Sequence, residues 1–222
     1  MDFQFNILDF ERFLQENSDV KFALSDVSQS RSIDKGKIIV AQEDPGQDIY
    51  LLRMGRAKAV IFSEGGHEIH LADFMPGTLF GEMAALLNAR RTSNVIAQTK
   101  ATVDIIPAVE FNSLMRRYPE LALYMTQMLA KRLQKTSQSL FEGHVFTVTQ
   151  RIYQDLLRRS EQDMSDSERL RLTPAPSVTT LSKSLNVTRE AASRAVTKLA
   201  QQGLVKKHKG YWDIIRPQFD NI

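Results

Sequence analysis

The apolar positions of this chain change rhythm part-way along. Between Val27 and Pro107 they come in short runs, KIIVA, DIYLL, AKAVIF, HEIHLADF and TVDII. Turn signals separate them at Asp34-Lys-Gly36, Asp44-Pro-Gly46, Met54-Gly55, Gly65-Gly66 and Pro76-Gly77. Many short runs punctuated by Gly and Pro predict an antiparallel β-sandwich or jelly roll. Gly65-Gly66 can take the positive φ of a two-residue turn, which makes SEGGHEIH a hairpin tip. Ahead of this block, residues 5–16 place Phe5, Leu8, Phe10 or Glu11, and Phe13 near one face, a short amphipathic helix.

From Phe111 the period becomes helical. Leu114, Tyr118, Leu121, Met125 and Met128 form one seam, and Leu129, Leu133, Thr136 and Leu140 a second row. The stretch to Leu140 holds no Gly and only one Pro, Pro119. It predicts one helix over 111–140, roughly 45 Å long at about 1.5 Å per residue. The seam turns polar at Arg132 and Lys135, which suits a parallel coiled-coil dimer helix whose last hydroxyls face something polar. A plain core helix is the alternative. EGHVFTVT then reads as a hinge with Gly143 as its weak point, RIYQDLLRRSEQ as another amphipathic helix, and SDSERLRLTPAPS as a polar connector.

The last stretch is compact. Residues 179–185 predict a short helix, Asn186-Val187 a tight turn, and residues 189–202 a second helix with Val196 and Leu199 facing inward. Thr188 caps that helix without an acid at the capping-box position, and Gly203 ends it. Two short helices with such a turn make a helix-turn-helix, and LVKKHKGYWDII adds a two-stranded wing. The fold class is therefore α+β. An N-terminal antiparallel β jelly roll spans residues 1–110, a long dimerisation helix and hinge 111–143, and a C-terminal winged helix-turn-helix 144–222.

Charge sharpens this division. Residues 1–110 carry 11 Lys and Arg against 16 Asp and Glu, whereas residues 171–222 carry 9 against 3. A basic C-terminal unit behind a mildly acidic one suggests a nucleic-acid reader attached to something else. The chain has no cysteine, which excludes disulfides, thiolate zinc sites and Cys-ligated iron–sulfur clusters. MDFQFNILDFERF is too acidic for a signal peptide, and no apolar run approaches the ~18 residues of a membrane span. A cytoplasmic protein with no membrane partner is expected. His67 and His70 lie three apart on a strand, so they face opposite sides as surface residues and share no metal. With no metal-ligand cluster and no nucleophile beside a base, a phosphodiesterase is the weaker alternative and no enzyme is expected.

Two constellations carry chemistry. At the start of the second C-terminal helix, Arg189, Glu190, Ser193 and Arg194 are placed to reach base edges in a major groove, and Thr188 at its cap and Lys198 further along are also expected at the DNA. Arginine pairs bidentately with guanine and glutamate accepts from cytosine N4. Lys206, Lys207 and Lys209 are better placed for phosphates. The second constellation is PGTLFGEMAALLNARRTSNV. Gly81 precedes a short helix whose free N–H groups suit an anion, and ten residues later Arg91 offers a planar fork with the Thr92 hydroxyl beside it. Glu82 is an acid next to an anion site, which makes sense if it accepts from a sugar hydroxyl. Phosphate and ribose together point to a nucleotide.

FGE, an apolar run and then Arg-Thr resembles the phosphate-binding cassette of cyclic-nucleotide-binding domains. Thr188-Arg-Glu-Ala-Ala-Ser-Arg194 resembles the recognition helix of the catabolite activator/FNR family of bacterial regulators, in its cAMP receptor branch. PELALYMTQMLAKRLQKTSQSL resembles the dimer helix of the same branch. The resemblance spans roughly residues 20–217. It implies a cAMP-responsive homodimer that regulates transcription by binding double-stranded DNA at a palindrome with TGTGA-like half-sites. It implies ligand contacts from Gly81, Glu82, Met83, Arg91, Thr92 and Arg132, with Thr136 of one subunit and Ser137 of the other meeting the purine. RNA polymerase is a candidate further partner. Another nucleotide, or none, is the alternative input, because a hydroxyl both donates and accepts and does not by itself separate adenine from guanine.

Overall fold

The computed structural model describes residues 10–62, 68–162 and 169–216. Phe5 and Leu8 of the first helix, the Gly65-Gly66 hairpin tip, His67 and the first part of the connector lie outside these residues. The chain forms two compact units that divide within one helix, between Gln134 and Lys135.

The first unit opens with α1 (Phe10–Glu16) and α2 (Ser18–Val27). Eight strands follow: β1 (Gln29–Ile33), β2 (Ile38–Val40), β3 (Ile49–Met54), β4 (Ala57–Phe62), β5 (Glu68–Phe74), β6 (Leu79–Phe80), β7 (Asn94–Ala97) and β8 (Ala101–Ile106). They build two antiparallel sheets, ordered β1-β8-β3-β6 and β2-β7-β4-β5. All five apolar runs are strands. β1 (QSRSI) is a polar edge strand that gave no alternation to read, and α2 was not foreseen. Residues of both sheets, among them Leu52, Phe74, Phe80, Val95 and Val103, form one buried core. Ile49, Leu51, Leu79 and Ile106 pack instead with the helices. His70 is no surface residue: its side chain is 12% exposed and Nε2 lies 3.1 Å from Asp73 Oδ1.

Between β6 and β7 stands α3 (Glu82–Leu87), and after β8 come α4 (Ala108–Arg117) and α5 (Pro119–Val145). The single helix expected over 111–140 is thus two. Proline disfavours helical backbone in the residue before it, and Tyr118 accordingly takes φ −123° and ψ 89°. The seam is also reassigned. Leu114, Leu121, Met125 and Met128 are all buried inside this chain against Phe10, Phe111 and Leu79, so they are core and not a dimer stripe. A different row of α5 stays open: Leu123, Thr126, Ala130, Leu133, Ser137 and Leu140, at alternating spacings of three and four. Leu123, Leu133 and Leu140 are 59%, 68% and 59% exposed. That is the heptad spacing of a coiled-coil seam.

The second unit begins in the last turns of α5, which run through Gly143. The helix thus continues through Gly143, where a hinge was expected, and breaks at Phe146-Thr147. Glu142 is buried and accepts from Gln138 Nε2 at 2.9 Å and from Arg158 Nη1 at 2.7 Å, which holds the final turn closed. Thr147 then starts α6 (Val148–Arg159) with a capping box completed by Gln150. A four-stranded antiparallel sheet runs β11-β12-β10-β9 from β9 (Glu161–Gln162), β10 (Arg169–Leu172), β11 (Val205–Lys207) and β12 (Trp212–Ile215). The connector is therefore part strand: Leu170 and Leu172 alternate into the core opposite Ile214 and Trp212. α7 (Val178–Ser184) and α8 (Arg189–Gln201) complete the unit. Asn186, at φ 50°, turns the chain between them.

Candidate functional site

The cassette is organised by Gly81 and Arg91. Gly81 caps α3 at φ 82°, a conformation that a side chain disfavours. Space forbids one as well: a Cβ there would sit 2.8 Å from Arg91 Nη1 and 2.9 Å from the Asp48 carbonyl oxygen. Arg91 is 4% exposed. Its Nη1 donates to Gly81 O at 2.9 Å and its Nη2 to Asp48 O at 2.7 Å. The Arg91 backbone is bracketed too, with its N–H on Asp44 O and its carbonyl receiving Glu43 N–H. Tyr50 closes one side, stacked on Phe80 and 5.5 Å beneath the Arg91 guanidinium carbon. Burial pushes the Tyr50 phenol above its ordinary range, although Arg91 pulls the other way. The result is a fixed planar cation, held by carbonyls that do not neutralise it, and such a group suits an anionic phosphate oxygen.

Glu82 is 2% exposed, and its Oε1 accepts from Arg132 Nη1 of α5. Arg132 Nη2 donates to Leu79 O at 2.7 Å. Gly81, Glu82, Arg91 and Arg132 are thereby gathered in one unit. Met83 and Thr92 are exposed beside them. Thr136 and Ser137 lie exposed one turn further along α5. Asp48, Tyr50 and the carbonyls of Gly81 and Leu79 were not foreseen. Carbonyl acceptors leave no mark in a sequence, since any residue supplies one. Arg90 anchors the Arg91 side of the loop by donating to Glu43 O at 2.7 Å.

The second surface is α8. Ala192, Ala195, Val196 and Leu199 are buried, which turns Arg189, Glu190, Ser193, Arg194 and Lys198 to solvent. Thr188 caps the helix by accepting from Ala191 N–H at 3.2 Å. Arg189, Glu190, Ser193 and Arg194 make no side-chain hydrogen bond or ion pair among the described residues, so their donors and acceptors remain available. Lys206, Lys207 and Lys209 are exposed on the β11–β12 hairpin.

The sequence profile of the cyclic nucleotide-binding domain matches residues 30–118, and that of the Crp-like helix-turn-helix domain matches residues 150–219. The chain belongs to the CRP/FNR family of bacterial transcription regulators. The cyclic AMP receptor protein of Thermus thermophilus is 29% identical over 192 residues, 86% of each chain. The crystal structure of the Thermus thermophilus catabolite activator protein superposes with a TM-score of 0.54 at 28% identity, covering 90% of both chains. The c-di-GMP-responsive global regulator CLP of Xanthomonas campestris shares the fold, with a TM-score of 0.73 at 20% identity over 90% of this chain and all of CLP. This CRP/FNR member is thus a DNA-binding transcription regulator with a cyclic-nucleotide-binding domain, and not an enzyme. Among the described residues no helix is long and apolar enough to cross a membrane.

Proposed function

We propose that this regulator is a cytoplasmic homodimer that responds to cAMP and reads a palindrome with TGTGA-like half-sites. The observation that carries the proposal is the convergence of buried Arg91, glycine-capped α3 and the Glu82–Arg132 pair on one small site. The cyclic phosphate sits against Arg91, Thr92 and the first turn of α3, including Met83, and the ribose hydroxyl against Glu82. Two copies join along the Leu123–Leu140 seam of α5, which brings Thr136 of one subunit and Ser137 of its partner over the purine. Ser137 stands on that seam, which supports a shared site. Arg189, Glu190, Ser193 and Arg194 read base edges, while Thr188, Lys198 and Lys207 hold the backbone and set the register. The ligand shifts the equilibrium only by preferring the DNA-competent state. Transcriptional output then passes through RNA polymerase as the candidate third partner.

Calorimetry with cAMP, cGMP and c-di-GMP tests the input, and operator affinity with and without the bound nucleotide tests the coupling. Binding of cAMP that tightens DNA binding is the expected result; absence of cAMP heat overturns the choice of ligand. A cyclic dinucleotide is the second candidate, because the same fold serves a c-di-GMP-responsive regulator.

A further inference from the structure

The loop between β2 and β3, residues 41–48, is fastened to the cassette at several points. Glu43 N–H donates to Arg91 O at 2.9 Å, and Asp44 O accepts from Arg91 N–H at 3.0 Å. Asp48 O accepts from Arg91 Nη2 at 2.7 Å, and Gln47 Nε2 donates to Asn88 Oδ1 at 2.6 Å. The loop holds its acids in a strained frame, with Glu43 at φ 65°, a conformation that suits glycine. Asp44 Oδ1 accepts the Gly46 N–H at 2.6 Å, which fixes the carboxylate in a side-chain turn. A Cβ on Gly46 would sit 2.9 Å from that same oxygen and 3.9 Å from Arg91 Nη2. The carboxylate and the cation therefore face each other across one glycine. Neither Asp44 nor Asp48 forms an ion pair among the described residues. Burial raises the Tyr50 phenol pKa most; beyond that, Arg91 lowers it, Asp48 and Asp44 raise it, and Arg31 lowers it least. The charges around the phosphate position are thus Arg91, Arg90 and Arg31 against Glu43, Asp44 and Asp48, with Glu82 and Arg132 already paired. Their signs cancel before any ligand arrives.

We propose that Asp44 and Asp48 set the charge this cassette accepts: a phosphodiester with one negative charge is held, and a phosphomonoester with two is turned away. A cyclic phosphate carries a single charge, whereas a monoester carries close to two at neutral pH. The first charge meets Arg91 at contact distance, where Coulomb attraction is large. The second finds no cation left uncompensated, and both aspartates repel it. The rim thus separates a cyclic messenger from its ring-opened monophosphate, which has the same base and sugar. Coulomb energy is proportional to the ligand charge. Neutralising the aspartates therefore favours a dianion twice as much as a monoanion on a logarithmic scale.

This selectivity rests on the nucleotide-binding reading but not on the choice of base. Calorimetry of the full chain with cAMP tests that reading, and two acyclic ligands test the selectivity. 5′-AMP carries about two charges at about pH 7.5 and adenosine 5′-(methyl phosphate) one, with the same base and sugar and no ring. A site that prefers another base weakens both alike and leaves their ratio intact. At low salt, wild type should bind the methyl ester at least about fivefold tighter than 5′-AMP. Asp44→Asn/Asp48→Asn keeps an acceptor for Gly46 N–H and the carbonyl that holds Arg91. It should tighten 5′-AMP about tenfold, and the methyl ester and cAMP only about threefold each. Both differences should shrink as salt is raised. Equal gains for the two acyclic ligands overturn the proposal, and so does an unchanged or undetectable 5′-AMP affinity in the variant. If the double variant does not fold, Asp48→Asn decides alone, with smaller gains in the same order.

Discussion

Arg132 and Glu82, fifty residues apart in sequence, share a charge-assisted hydrogen bond that fastens the long helix to the first residue of α3. Glu82 is nearly sealed from water, whereas 30% of the Arg132 side chain is exposed. The carboxylate therefore depends on the arginine more than the arginine depends on it.

Replacing Arg132 by Leu strands that carboxylate. Urea denaturation should show a loss of about 2–3 kcal/mol, at the low end for a buried pair because the arginine is partly solvated. The Arg132→Leu/Glu82→Gln double variant should recover part of it. Strictly additive losses would mean the two side chains do not stabilise one another.

Gly81→Ala should be costly in a second currency. A Cβ at φ 82° adds strain of about 1–3 kcal/mol, and it meets a backbone carbonyl that does not yield. Arg91 must move to relieve it, so nucleotide affinity should fall at least tenfold by calorimetry. Arg91→Lys should lose a comparable amount, since an ammonium cannot hold the carbonyls of Gly81 and Asp48 and a phosphate together. Normal affinity in either variant would remove Arg91 from the site.

The two faces of α5 should separate folding from assembly. Leu133→Asp changes a residue that is 68% exposed, and sedimentation should show a folded monomer. Met128→Asp places a charge at a position 1% exposed and should unfold the first unit. A dimeric Leu133→Asp would move the interface elsewhere.

Glu142 should make the second unit acid-sensitive. Burial alone would raise its carboxyl pKa, but hydrogen bonds from Gln138 and Arg158 outweigh that and hold it below the ordinary value. A carboxylate depressed on folding stabilises above its unfolded pKa, near 4.5, and that stability is lost as pH falls through the folded value. Thermal melts of wild type and Glu142→Gln should therefore differ at neutral pH and converge as pH falls through the lowered folded-state pKa of Glu142.

On DNA, Arg189→Ala should cost about 1–3 kcal/mol of discrimination at one base pair. Lys207→Ala should instead weaken all sequences alike and reduce the salt slope by about one. A uniform loss from Arg189→Ala would make it a phosphate contact.

What the sequence disclosed followed the strength of its local signals. Alternating apolar runs between glycines marked β2, β3, β4, β5 and β8, and the Thr188 cap with Gly203 framed α8. β1 stayed hidden because an exposed edge strand has no apolar face to alternate. The long helix misled in an instructive way. It carries two stripes, and the richer one, through Leu121, Met125 and Met128, belongs to this chain's own core. The poorer stripe is the one left exposed, and periodicity alone does not say which stripe enters the chain's own core. In the cassette the charged side chains were legible, but the carbonyls of Gly81, Asp48 and Leu79 that aim them were not.

The open leucines of α5 have a consequence for supply. If a half-site reader works only in pairs, occupancy of a two-sided operator grows with the square of chain abundance while pairs are scarce, and linearly once they are plentiful. On that condition, halving the amount of this chain while pairs are scarce would remove about three-quarters of the operator occupancy.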